Sequence, residues 1–189
     1  MAPGGDSSLI IWIAAGESIS IAVTDAGQVC GWGTFRCDGG ILGFNDRTSA
    51  QHVPALLPTL KSIVQVSIGT DHVLGLTKEG EGYAWGNGQQ FQLGGRVLER
   101  NRHIGLIHRR VSLPRCQVKH VATGSYHSFA MTQDGRVWTW RLNQYGQCGI
   151  YNRGPAARKV PPFPSLLSPR VWCSTQSTRY PPESITQPP

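Results

Sequence analysis

Gly86, Gly88 and Gly94 follow a strand-like run that ends in Trp85. A glycine-rich loop after a strand is a common cradle for phosphate. The spacing here excludes that chemistry. A dinucleotide loop needs a third glycine at position 91, which is Phe91. No Gly-Lys-Ser/Thr follows, so there is no P-loop, and no amphipathic helix opens after Gly88 to aim its amides at an anion. The five cysteines (Cys30, Cys37, Cys116, Cys148 and Cys173) are odd in number, and none lies in a C-x-x-C pair. That argues against a disulfide framework or a zinc site, and for a reducing compartment. The six histidines lack metal-ligand spacing, and no Ser/His/Asp arrangement is evident. The expectation is a protein without covalent chemistry, cofactor or metal.

The glycines make sense as parts of a repeat. GTDHVLGLTKEGEGYAWG at 69–86 returns as AAGESISIAVTDAGQVCGWG at 14–33 and as ATGSYHSFAMTQDGRVWTWR at 122–141. Gly16, Gly69 and Gly124 align, as do the turn glycines Gly27, Gly80 and Gly135 and the tryptophans Trp32, Trp85 and Trp140. All three registers share separations of 53 and 55 residues. Leu42-Gly43, Leu93-Gly94 and Cys148-Gly149 close the units. Within a unit, an alternating run (VQVSI or VKHVA) is followed by glycine, a second strand, a three-residue loop ending in glycine, and a strand ending in tryptophan. Period-two alternation implies strands with one buried face. No segment between them has helical period over 10 residues, so each unit predicts one antiparallel sheet. Sheets repeated in this way stack face to face as propeller blades. The fold class is all-β, and the repeated glycines and tryptophans are architectural.

The 189 residues are 39% hydrophobic and 8% aromatic, enough for a core. LIIWIAA is too short to span a membrane and reads as the entry strand of the first unit, after a stub at 1–9. The net charge of +7 is uneven: residues 1–95 carry 4 basic and 8 acidic side chains, residues 96–189 carry 14 and 3. Arg96, Arg100, Arg102, Arg109, Arg110 and Arg115 fall within one 20-residue stretch holding a single Glu. It reads either as a solvated loop between sheets or as a patch for an acidic partner or nucleic acid. Nine of the 13 prolines lie in 154–189, where no repeat unit is visible, so this segment is expected to be irregular and outside the 10–153 repeats.

The stretches AAGESISIAVTDAGQVCGWGTFR, GTDHVLGLTKEGEGYAWGNGQQFQLG and GSYHSFAMTQDGRVWTW resemble the regulator of chromosome condensation family. The more specific WGTFRCDGGILGF (32–44) and GQQFQLGGRVLERNR (88–102) resemble its fungal Ran-exchange members. The resemblance implies a seven-bladed propeller, of which about three units are visible here. It implies guanine-nucleotide exchange on the small GTPase Ran. One propeller face grips the GTPase, and a protruding β-wedge loosens the phosphate site. The resemblance places that wedge near Phe44, Asn45, Asp46, Arg47, Thr48, Ser49, Ala50 and Gln51, and two acidic positions of the active face at Glu17 and Asp71. It also implies a nuclear, chromatin-associated setting with histone or DNA contacts, with a cytoplasmic one left open for a short chain.

Comparison of the repeats supports the two acids. Glu17 aligns with Thr70 and Ser125, and Asp71 with Ser18 and Tyr126, so the fold does not demand acidity there. The next position holds Ile19, His72 and His127, a repeated residue and therefore a structural one. Trp140-Arg141 replaces the usual Trp-Gly, and Cys37 stands where the family has an acid. Three functional readings stay open: a Ran exchange factor or a piece of one, a non-catalytic interaction module, and a truncated product without activity of its own.

Overall fold

The alternation in each repeat becomes a sheet. A computed structural model describes residues 8–95, 97–113, 117–140, 147–148 and 165–166. The first repeat supplies β1 (Ile10–Ala15), β2 (Ile19–Thr24), β3 (Val29–Gly33), a small hairpin of β4 (Phe35–Cys37) and β5 (Gly40–Gly43), and β6 (Gln51–Leu56). The second supplies β7 (Ile63–Ile68), β8 (His72–Thr77), β9 (Gly82–Gly86) and β10 (Arg109–Arg110). The third supplies β11 (Val118–Thr123), β12 (Ser128–Thr132), β13 (Val137–Trp140) and β14 (Ser165–Leu166). The result is three four-stranded sheets, β1-β2-β3-β6, β10-β9-β8-β7 and β11-β12-β13-β14, with β4-β5 as a separate pair. Neighbouring strands within each sheet are antiparallel.

The core lies between the sheets. Ile19, Ile21 and Val23 of β2 meet Val73 and Trp85 of the second sheet. On the second sheet's other face, Leu74 and Leu76 meet Ala130, Trp138 and Trp140 of the third. β8 is thus buried on both faces, and all six of its residues are inaccessible. This explains why HVLGLT is apolar almost throughout, without alternation.

The repeated glycines have two physical causes. Gly27, Gly80 and Gly135 have φ of 73°, 81° and 79°, the left-handed region in which a Cβ clashes. Gly16 and Gly69 are needed for close approach instead. A Cβ on Gly16 would lie 2.7 Å from the Gly69 carbonyl oxygen, and one on Gly69 would lie 2.6 Å from that of Gly124. A Cβ on Gly69 would also strike the His72 ring. We therefore expect Gly69→Ala to lower stability by about 1–3 kcal/mol, the usual cost of overpacking. Chemical denaturation checks this, and an unchanged midpoint would show that the sheets can separate at no cost.

The loop reading of one stretch needs refinement. The Arg-rich stretch is not simply a loop, for it contains a 3₁₀ helix at Glu99–Leu106 followed by β10. Its apolar residues have no helical period, but Gly105 and Leu106 are buried and Leu106 joins the first core. Within 154–189, expected to be irregular, the described residues are Ser165 and Leu166, which pair with Thr139 and Trp138. Residues 165–168 are free of proline, so their amides remain available to a ladder. The rest of that segment lies outside the described residues, as do residues 1–7 of the stub at 1–9.

Candidate functional site

The loops that follow the repeat glycines lie side by side. The Glu17 amide donates to the Thr70 carbonyl at 3.3 Å, and the Thr70 amide donates to the Ser125 carbonyl at 2.9 Å. These bonds use backbone alone, so Glu17, Asp71 and their counterparts are displayed in one row across three sheets.

The β4-β5 hairpin meets this row. Its base is anchored in the first core through Phe35 and Leu42. Arg36 then joins the two acids. Its amide donates to Asp71 Oδ1 at 2.9 Å, and its guanidinium lies 3.7 Å from Glu17 Oε1. The Arg36–Glu17 pair is more than half exposed, so it adds little stability. Asp71 differs, being only 9% exposed. Burial raises its pKa above the ordinary aspartate value, opposed by the Arg36 amide and reinforced by the charge of Glu17.

The predicted wedge is placed differently from the β-element expected. Residues 44–50 contain no strand, and Gln51 begins β6. Phe44 is buried in the core, and Asn45 Oδ1 accepts from the amides of Arg47 and Thr48 to close a tight turn. The Ser49 carbonyl accepts from Thr34 Oγ1 at 2.6 Å, and Asp46 and Arg47 are exposed. The two-stranded element beside Glu17 and Asp71 is the hairpin at 35–43. Its signal was legible: Cys37 pairs with Gly40, leaving Asp38-Gly39 as a two-residue loop. Asp-Gly between short strands is a hairpin signature. At this place, after the strand ending in the repeat tryptophan, Asp-Gly occurs in the first repeat only, so repeat comparison passes over it, and Arg36 with it.

His72 is structural. It is fully buried, and its Nε2 lies 3.0 Å from Ser128 Oγ. The Ser128 hydroxyl donates its one proton to the Gln92 carbonyl at 2.8 Å, so His72 Nε2 donates to Ser128. Trp140 Nε1 donates to the same Gln92 carbonyl at 2.8 Å. This network ties the second sheet to the third.

The described arginines of this stretch differ in their surroundings. Arg110 pairs with Glu81 at 3.0 Å and Arg102 with Glu99 at 3.3 Å. Arg109 and Arg110 are successive in β10 and so point to opposite sides. Arg100 is exposed on the 3₁₀ helix, and Arg96 and Arg115 lie outside the described residues. Among the described residues there is no group of three or more His, Cys, Asp or Glu that could hold a metal, and no helix long and apolar enough to cross a membrane.

Known proteins are similar to this chain in sequence and in fold. The regulator of chromosome condensation (RCC1) repeat matches residues 26–76, 63–92 and 118–147. The guanine nucleotide exchange factor SRM1 of Saccharomyces cerevisiae is 44% identical over 151 residues, covering 78% of this chain and 31% of that protein. Protein pim1 of Schizosaccharomyces pombe is 46% identical over 134 residues, covering 71% of this chain and 24% of that one. The chain therefore spans about a third or less of these relatives. The crystal structure of Prp20p from Saccharomyces cerevisiae, a protein described with its binding properties to Gsp1p and histones, superposes with a TM-score of 0.79 at 41% identity. It covers 86% of this chain, which in turn covers 37% of Prp20p. With that repeat matched over about half of the chain, and with relatives more than 40% identical over most of it, the chain belongs to the regulator of chromosome condensation repeat family.

Proposed function

We propose that the chain carries the exchange face of a guanine-nucleotide exchange factor for the small GTPase Ran. The observation that carries this reading is the hairpin at 35–43, seated on Asp71 beside Glu17. Glu17 and Asp71 offer negative charge to basic groups of the GTPase. The hairpin, fixed to the core at its base, serves as the wedge, and the turn at 44–51 supports it. Exchange of this kind needs no covalent step. It needs higher affinity for the nucleotide-free GTPase than for the GDP-bound one, and that difference shifts the equilibrium towards release. Arg100 and Arg109, both exposed, suit acidic chromatin components, which accords with a nuclear setting. Similarity to SRM1, pim1 and Prp20p supports the reading.

The test is GDP release from Ran by the purified chain and two variants. Asp71→Asn keeps an Oδ1 acceptor for the Arg36 amide but removes the charge, whereas Asp71→Ala removes both. We expect Asp71→Asn to slow release by about tenfold or more, the scale on which a buried charge at an interface matters. Stability should not fall with it. A carboxyl whose folded pKa is raised contributes stability below its unfolded pKa and loses it as pH rises through the folded value. Its ionised form at neutral pH is therefore a cost, which Asn relieves. No stimulation of release by the unsubstituted chain would overturn the reading, and binding without release would mark an interaction module.

A further inference from the structure

The base of the hairpin is fixed by the core and by Asp71, but a lever also needs its far end held. The tip residue Asp38 is exposed, yet its amide donates to Gln89 Oε1 at 3.1 Å, 51 residues along the chain. The other end of the Gln89 side chain, Nε2, donates to Glu99 Oε2. Glu99 Oε1 lies 3.3 Å from Arg102 Nη1. That same Arg102 nitrogen lies 3.0 Å from where a Cβ on Gly39 would stand. The amide orientation of Gln89 is forced: a backbone N–H can only donate and a carboxylate can only accept. Gln89 itself is oriented by its own amide, which donates to Asn87 Oδ1 at 3.0 Å. The segment after β9 is therefore joined to the hairpin tip.

We propose that Gln89 is a positioning residue for the exchange reaction. With Glu99 and Arg102 it latches the tip of the 35–43 hairpin and fixes the angle at which the hairpin meets the GTPase. The Arg102 guanidinium passes over Gly39. This rests on the exchange reading above, since a latch matters to release only if the hairpin is the wedge. Gln89 touches neither nucleotide nor GTPase in this role. It acts through the hairpin, so it should alter turnover more than affinity.

The experiment reads two quantities on the full chain. The first is amide hydrogen exchange at Asp38. Gln89→Ala should speed it about tenfold, leaving the amides of β2 and β8 and the melting temperature unchanged. Gln89→Glu keeps an oxygen acceptor for Asp38, and, with Glu99→Gln added to remove the new repulsion, should restore protection. The second is GDP release from Ran. Gln89→Ala should lower kcat about threefold to tenfold with KM unchanged, and the double variant should recover it. Unchanged Asp38 exchange in Gln89→Ala overturns the latch, whatever the release rate. Lost protection with an unaltered kcat overturns the positioning role. If the unsubstituted chain releases no GDP, the exchange reading falls and the positioning role with it, while Asp38 protection still decides whether the latch exists.

Discussion

Trp85→Ala should destabilise the chain by about 3–5 kcal/mol, and Trp32→Ala by roughly 1 kcal/mol or less, although the two occupy the same repeat position. Cross-strand pairing of Ser20 with Trp32, Val73 with Trp85 and Ser128 with Trp140 puts all three rings on the same face of their sheets. That face turns towards the preceding sheet. Trp85 packs on Ile19, Ile21 and Val23, and Trp140 on Leu74 and Leu76. Both are 1% exposed. Among the described residues no sheet precedes the first, so Trp32 is only half-buried, and Ile13 and Leu56 on its face are exposed. Removing Trp85 leaves a cavity in a packed core, whereas removing Trp32 loses partial burial alone. Urea midpoints followed by far-ultraviolet circular dichroism would measure both. Equal losses would mean that the ring matters for its own sheet rather than for the neighbour.

Stability should also fall on mild acidification, by on the order of 2–3 kcal/mol through one histidine. His108 sits edge-on to Trp85, with ring centroids 4.9 Å apart, and its Nδ1 lies 2.6 Å from Thr59 Oγ1. Burial lowers its pKa from 6.5 to about 4. The sign follows directly. The folded chain resists protonation of His108 and the unfolded chain does not, so the contribution is whole above pH 6.5. It declines as pH falls from there and is gone below about 4. Asp71, with its raised pKa, works in the opposite sense as it protonates and cannot produce the same slope. Denaturation midpoints at pH 7 and pH 4.5, for the chain and for His108→Gln, would isolate the effect. The variant should show a smaller decline, and an identical decline would exclude His108 as the source.

What could be read from the residues, and what could not, follows from how often each constraint recurs. Gly27, Gly80 and Gly135 satisfy the same backbone demand three times, so comparison of the chain with itself exposes them. Gly16 and Gly69 were visible as a pattern, and close approach of neighbouring sheets was a readable cause, but which backbone atoms meet there was not. The separation of His72 from Asp71 was legible because one is repeated and the other is not. Arg36 and Gln89 were not, because each acts once and through partners 35 and 51 residues away in sequence. The 3₁₀ helix at Glu99–Leu106 was hidden for another reason: it buries only two residues and so has no apolar period to read.

The backbone bonds that join Glu17 to Thr70, and Thr70 to Ser125, have a bearing on how such a protein changes over generations. Because the sheets are tied there without side chains, the tie survives almost any substitution at the positions it displays. Glu17, Thr70 and Ser125, and beside them Ser18, Asp71 and Tyr126, differ in charge, size and polarity on one scaffold. Selection can therefore rewrite what the exposed positions of this rim recognise one residue at a time, Asp71 excepted, since it is buried and holds the Arg36 amide. A duplicated repeat brings new, blank positions already aligned with the old. The same freedom makes partner identity hard to infer from the fold alone.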